Sequence, residues 1–432
     1  MILRVSPSDL AGVVAAPPAK SIAQRLLAAA LLVDGETWIH NPSESDDCTA
    51  AIALTAGLGA EIEMGETSLR IHGTGGRLSP RAEVLEVGES GLAFRLFTAL
   101  AGLSPDPVVL RPSGSLAGRP MDLLVAVLTQ RGISVSHGPE PGDLRIQGPF
   151  PDGRYTLSLD GSLSSQFLTG LLMALPVAAG HTRIEVTGLQ SRPYIEMTLE
   201  VLEDFGIRIE VNEDFSVFDI PGGQVYASGL EMAVDGDWSG AAALMVAGML
   251  AAGEPISIEG LANQYTQADE AIRGALLFAG GAMSGTDSGV QVAARPVRAF
   301  NIDLNHSPDL FPVLAALAVF GNKPSTLKGI GRLTHKESNR ALAIAEEFAR
   351  AGVQIDLKPD TDEMVIHPAK KHLKAARLNA RGDHRMAMAA AILGLAGVPI
   401  EIDGAECVAK SYPAFFDDLE TLGTSIAWVS KT

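Results

Sequence analysis

Two kinds of segment recur together along this chain, and their regular alternation limits the possible architectures more than any other feature. The first is an Ala/Leu/Val-rich stretch opened by polar residues. It appears as KSIAQRLLAAALL from Lys20, SGLAFRLFTALAGL from Ser90, SSQFLTGLLMALPVAAG from Ser164, DWSGAAALMVAGMLAAG from Asp237, SPDLFPVLAALAVFG from Ser307 and DHRMAMAAAILGLAG from Asp383. Each is apolar nearly all round, which predicts a helix buried on every side. The second is a more amphipathic helix that stops at glycine and runs into an alternating strand, at Gly59, Gly132, Gly206, Gly280, Gly352 and Gly423. Glycine can take the left-handed conformation that closes a helix, and the alternation after it suits a half-buried strand.

With Ser21, Ser90, Ser164, Ser239, Asp309 and Asp383 as markers, the steps are 69, 74, 75, 70 and 74 residues by subtraction. Six units of this length fill the 432 residues, which is chain enough for two domains. The period exceeds that of ordinary solenoids, and each unit carries helices and strands. The expectation is therefore an α/β protein with three units closed pseudo-symmetrically in each domain.

The helix starts carry the chemical consequence. A buried helix offers unpaired N–H groups and a partial positive charge at its N-terminus, and both favour phosphate or carboxylate. Three such starts facing one way in each domain would attract anions locally. The attraction has to be local, because a formal net charge of −18 repels nucleic acid and anionic membranes. Neither is expected as a partner.

Cys48 and Cys407 are too few and too far apart for a disulfide framework or a zinc site. His306, His335 and His384 lie in separate motifs without metal-ligand spacing, so no metal or other cofactor is expected. The start of the chain lacks the basic-then-apolar pattern of a secretory signal, and the longest apolar stretches, such as 240–253, fall short of the ~20 residues that span a bilayer. Cytoplasm is the expectation.

The polar residues at the helix starts carry a family likeness. Lys20-Ser21-Ile22-Ala23-Gln24-Arg25 resembles the Lys-Ser-x-x-x-Arg segment of 5-enolpyruvylshikimate-3-phosphate synthases. Ser90-Gly91-Leu92-Ala93-Phe94-Arg95 is similar to that family's Ala-Gly-Thr-Ala-x-Arg segment, in altered form. Arg119-Pro120-Met121, Ser164-Ser165-Gln166, Ser191-Arg192-Pro193-Tyr194 and Asn305-His306-Ser307-Pro308-Asp309 follow in family order. So do His335-Lys336-Glu337-Ser338-Asn339-Arg340, Asp383-His384-Arg385 and Cys407-Val408-Ala409-Lys410-Ser411.

The resemblance implies the two-domain enolpyruvyl-transferase fold, each domain made of three βαβ-type units with buried parallel helices and outer sheets about a pseudo-threefold axis. It implies one domain inserted at 17–228 and the other built from 1–16 with 229–432, closing on ligand. It also implies a monomer acting on two small anions, phosphoenolpyruvate and shikimate 3-phosphate. Lys20, Gly91, Arg119, Gln166, Arg340, Arg385 and Lys410 would hold the first. Ser21, Arg25, Ser164, Ser165, Gln166, Ser191, Tyr194, Asp309 and Lys336 would hold the second. Asp309, Glu337 and Lys20 would move protons.

The chain departs from the family pattern at Glu89, Leu92 and Asn339, where Asn, Thr and Asp are usual. An acidic Glu89 beside an anionic ligand is unfavourable unless it points away or pairs with a cation. These departures predict a working but weakened enzyme. One rival reading is a UDP-N-acetylglucosamine enolpyruvyl transferase, although that family has Asn after the first lysine where this chain has Ser21. Another is a catalytically weakened anion-binding paralogue.

Overall fold

The computed structural model describes residues 1–261, 264–334 and 336–429. His335, part of one family motif and one of the three weighed histidines, lies outside the described residues. The chain forms two compact units. One comprises Met1–Ala19, Gly236–Asn263 and Gln267–Thr432; the other comprises Lys20–Asp235 together with Gln264–Thr266.

All six apolar segments are helices: Lys20–Leu32, Gly91–Ala101, Gln166–Ala174, Trp238–Ala251, Phe311–Val319 and His384–Ala396. In the Phe311–Val319 helix every residue is buried, as a stretch without a polar face requires. The second marker also keeps step. Gly59, Gly132, Gly206, Gly280, Gly352 and Gly423 all have positive φ, between 75° and 122°. A Cβ is disfavoured there, so these glycines end one element and redirect the chain into the next.

Around these helices the described residues form six four-stranded sheets of one topology. Each has one parallel pair and two antiparallel pairings, as in Arg154–Asp160, His181–Thr187, Val217–Pro221 and Glu210–Val211. In four sheets the parallel strands are those that flank one buried helix, the ordinary βαβ crossover.

The other two exchange partners. Leu10–Ala15 precedes the Lys20–Leu32 helix but pairs with Ala252–Glu259, while Leu230–Ala233 precedes the Trp238–Ala251 helix but pairs with Glu36–His40. The swap falls where the chain leaves one unit and returns to it. The first strand, Ile2–Ser6, lies between Ile400–Asp403 and Ser425–Val429, so the two ends of the chain complete one sheet.

Candidate functional site

In the Lys20–Asp235 unit, the starts of the buried helices gather two groups of residues. Lys20 opens its helix with Nζ 2.7 Å from Asp47 Oδ2. One turn on, Arg25 is 1% exposed. Its guanidinium donates to the carbonyl oxygens of Ser21 at 2.7 Å and Tyr194 at 3.1 Å, and to the hydroxyls of Thr198 at 2.9 Å and Thr169 at 3.4 Å. Burial pushes Arg25 down to about 10, and none of these four partners is a carboxylate. A guanidinium held this way keeps its charge without a carboxylate among these four partners, and its planar fork has the shape that matches a phosphate or carboxylate.

Ser191 is buried beside this group, at the start of the Arg192–Asp204 helix, with φ at +54°. That left-handed conformation costs a non-glycine residue about 1–2 kcal/mol, and such strain persists where the surroundings fix it for a purpose. Three residues on, the Tyr194 N–H donates to the Ser191 carbonyl at 3.1 Å and the Tyr194 carbonyl accepts from Arg25.

The second group surrounds Gly91. A Cβ there would stand 2.9 Å from Arg119 Nη1 and 3.2 Å from Arg95 Nη1, so two guanidinium groups close over the helix start. Arg95 Nη1 also donates to Gln166 Oε1, and Ser164 Oγ accepts from the Gln166 N–H at 3.2 Å. Ser165 is buried and makes no side-chain cap bond. Ser90 caps the Gly91–Ala101 helix and donates to Gln24 Oε1 at 3.3 Å. Gly91, Arg119 and Gln166 are thus brought together, and Arg95 belongs with them.

Glu89 turns toward the neighbouring turn, accepting from the N–H of Ser115 at 3.2 Å and its hydroxyl at 3.4 Å. Gly114 makes this possible, since a Cβ there would overlap the Glu89 carboxyl group.

The other unit assembles its groups around Asp309, which lies in the 3-10 turn Pro308–Leu310 just before the Phe311–Val319 helix. Asp309 Oδ1 takes Arg340 Nη1 at 2.8 Å and Lys336 Nζ at 3.2 Å, and Oδ2 faces Arg385 Nη2 at 3.5 Å. Arg340 also donates to Asp383 Oδ2 at 2.8 Å and to Glu337 Oε2 at 2.6 Å. Asp383 in turn caps the His384–Ala396 helix through the Arg385 N–H. Lys410 Nζ donates to the Gly382 carbonyl at 2.8 Å, one residue before that cap. Asp309, Lys336, Glu337, Arg340 and Arg385 therefore form one ionic network.

Asn339 accepts from the Leu342 N–H and caps the Arg340–Arg350 helix. Asn caps about as well as Asp, so this departure keeps the helix start. Nothing in the structure explains Leu92.

The charges in this network tune one another. Burial raises the Asp309 carboxyl, but Arg385, Lys336 and Arg340 outweigh burial and hold it well below the usual carboxylate range. Burial lowers Arg340, and Asp383, Glu337 and Asp309 more than restore it. Lys336 remains lowered, because for it burial wins over Asp309. The result is a carboxylate ringed by fixed cations, which can offset charge on a phosphate or on an oxygen that becomes anionic.

Sequence reasoning passed over Asp383 and Asp269. Asp383 had a signal, as the sixth marker directly before an apolar helix. Asp269, in the short turn Ala268–Ala271, had none. Its surroundings come from three separate elements.

A family model described as EPSP synthase (3-phosphoshikimate 1-carboxyvinyltransferase) matches residues 5–419. The chain belongs to the EPSP synthase family. Among curated family relatives, the 3-phosphoshikimate 1-carboxyvinyltransferase of Methanosarcina acetivorans is 33% identical and aligns over 100% of both chains. That of Neisseria meningitidis serogroup B is 34% identical over 98% of this chain and 97% of its own. The solved EPSP synthase of Acinetobacter baumannii superposes with a TM-score of 0.82 at 23% identity, covering 99% of this chain and 100% of that one. The fold is that of the EPSP synthases. No helix among the described residues is long and apolar enough to cross a membrane.

Proposed function

We propose that the chain transfers the enolpyruvyl group of phosphoenolpyruvate to the 5-hydroxyl of shikimate 3-phosphate, releasing phosphate. The observation that carries this reading is family membership along nearly the whole chain, combined with buried cations at the helix starts where the family motifs fall. Arg25, with Ser21, Ser164, Ser165, Gln166, Ser191 and Tyr194, suits the phosphate, carboxylate and hydroxyls of shikimate 3-phosphate. Lys20, Gly91, Arg119, Gln166, Arg340, Arg385 and Lys410 suit phosphoenolpyruvate.

The 5-hydroxyl oxygen attacks C2 as C3 gains a proton, giving a tetrahedral adduct. The C2–O bond to phosphate then breaks as a C3 proton leaves, restoring the double bond. Asp309 takes the hydroxyl proton. Held so acidic, it is a weak base at rest, but an arriving anion that shares Arg385, Arg340 and Lys336 raises its basicity. Glu337, 2.6 Å from Arg340, and Lys20 exchange the C3 proton. The same reading makes the protein a cytoplasmic monomer.

The test is phosphate release from phosphoenolpyruvate with either shikimate 3-phosphate or UDP-N-acetylglucosamine as acceptor. Release with shikimate 3-phosphate alone supports the reading. Release with the nucleotide sugar alone would replace it with the rival enolpyruvyl transferase, and tight binding without release would indicate the anion-binding paralogue.

A further inference from the structure

The Arg340–Arg350 helix grips the turn before the His384–Ala396 helix at two points. At its start Arg340 holds Asp383. Two turns further along the same face stands Glu347, 1% exposed. Its Oε1 accepts from Arg381 Nε at 3.0 Å and Nη2 at 2.7 Å, and its Oε2 accepts from the Asn379 N–H at 2.9 Å. Oε2 also lies 3.2 Å from Nε of the exposed Arg350. Arg381 Nη2 donates a further bond to Glu346 Oε2 at 2.6 Å.

Between the two grips the backbone takes a shape that one of its residues resists. Arg381 has φ at +54° and Gly382 at +67°. Glycine adopts such angles freely, whereas a Cβ crowds the backbone there. A strained residue persists where its surroundings fix it. Arg381 is fixed through its side chain by Glu347 and Glu346, and through its N–H by Asn379 Oδ1 at 2.6 Å. The Gly382 carbonyl accepts from Lys410 Nζ at 2.8 Å, and the next residue, Asp383, accepts from the Arg385 N–H at 3.0 Å.

We propose that Glu347 is a positioning residue for phosphoenolpyruvate binding: through Arg381 it holds the 379–383 turn in the shape that orients Lys410 and the start of the Arg385-bearing helix. The proposal rests on the reading that Lys410 binds phosphoenolpyruvate. A glycine at 381 would relieve the strain, but Glu347 could not steer it.

The test is steady-state phosphate release with shikimate 3-phosphate as acceptor, in the wild type, Glu347→Gln, Arg381→Ala and Arg381→Gly. Arg381→Ala keeps the strain and loses the contacts that hold it. Its KM for phosphoenolpyruvate is expected to rise roughly five- to tenfold, a usual size for residues that act on a ligand through others. Its kcat and its KM for shikimate 3-phosphate should not change, the pattern of lost uniform binding. Glu347→Gln should move KM in the same direction, and adding it to Arg381→Ala should bring no further rise, because both variants break one link. Arg381→Gly, which takes the left-handed shape without strain, should return KM most of the way to the wild-type value. Loss of stability alone, read from urea unfolding, would not produce this recovery.

A KM for phosphoenolpyruvate that is unchanged in Arg381→Ala, or an effect confined to kcat, would overturn the proposal. So would an Arg381→Gly protein as impaired as Arg381→Ala. Lys410→Ala separates the two levels of argument: an unchanged KM for phosphoenolpyruvate would defeat the assignment of Lys410 itself, whereas a raised KM there with an unchanged one in Arg381→Ala defeats only the role given to Glu347.

Discussion

Arg340 donates through Nε to Asp383 Oδ2 at 2.8 Å, with both side chains shut off from solvent, and this pair ties the start of one helix to the cap of another. Each partner has further obligations, Arg340 to Asp309 and Glu337, and Asp383 to the Arg385 N–H. The pair thus orients both the cation that grips Asp309 and the helix that presents Arg385.

Removing one partner of such a pair leaves the other charge buried and uncompensated. Asp383→Ala is expected to lower unfolding free energy by about 3–5 kcal/mol, read from urea denaturation. Lys410→Ala, which gives up the bond to the Gly382 carbonyl at a part-exposed site, should cost less than about 1 kcal/mol while raising KM for phosphoenolpyruvate.

Gly91→Ala places a methyl group 2.9 Å from Arg119 Nη1 and 3.2 Å from Arg95 Nη1. The guanidinium ends can shift, so stability should change by no more than about 1 kcal/mol. Their shift should raise KM for phosphoenolpyruvate more than it lowers kcat, measured by steady-state kinetics. An unchanged KM would show that no ligand uses this helix start.

Arg25→Lys retains the charge but cannot reproduce a planar fork that reaches Ser21, Tyr194, Thr198 and Thr169 at once. Shikimate 3-phosphate binding, followed by calorimetry, should weaken by at least tenfold, about 1.4 kcal/mol.

Two carboxyl groups of one unit are pushed in opposite directions, so their variants should have opposite pH signatures. Asp269 is raised above its unfolded value. The stability it contributes is complete below about pH 4 and lost as pH rises through about 6. Asp269→Asn should therefore gain on the wild type between pH 5 and 8, by about 2–3 kcal/mol at most, since each tenfold change in proton affinity is worth about 1.4 kcal/mol. Asp309 is depressed, so its contribution is present above about pH 4 and lost as pH falls further. Asp309→Asn should fall behind the wild type at neutral pH and approach it in acid. Urea unfolding across pH 3–8 measures both.

The architecture was legible because it repeats: six apolar helices and six glycine stops kept register along the sequence, and all six glycines have the positive φ their position demanded. The strand exchange between Leu10–Ala15 and Leu230–Ala233 was not legible, because parallel pairing between distant strands leaves no local pattern. In the site, residues inside motifs such as Lys336-Glu337-Ser338-Asn339-Arg340 could be found by spacing and likeness. Asp269 could not, since its character arises only when three helix starts converge on it. The direction taken by Glu89 was equally hidden, as it depends on the room left at Gly114.

The most direct measurement is phosphate release in a single turnover, with enzyme in excess over shikimate 3-phosphate and phosphoenolpyruvate, for wild type and Asp309→Asn. The wild type should release one phosphate per shikimate 3-phosphate, and the variant should be slower by about 10²–10⁴-fold, the usual value of a positioned base. Shikimate 3-phosphate affinity should stay within about threefold. An Asp309→Asn protein that turns over at the wild-type rate would contradict the account.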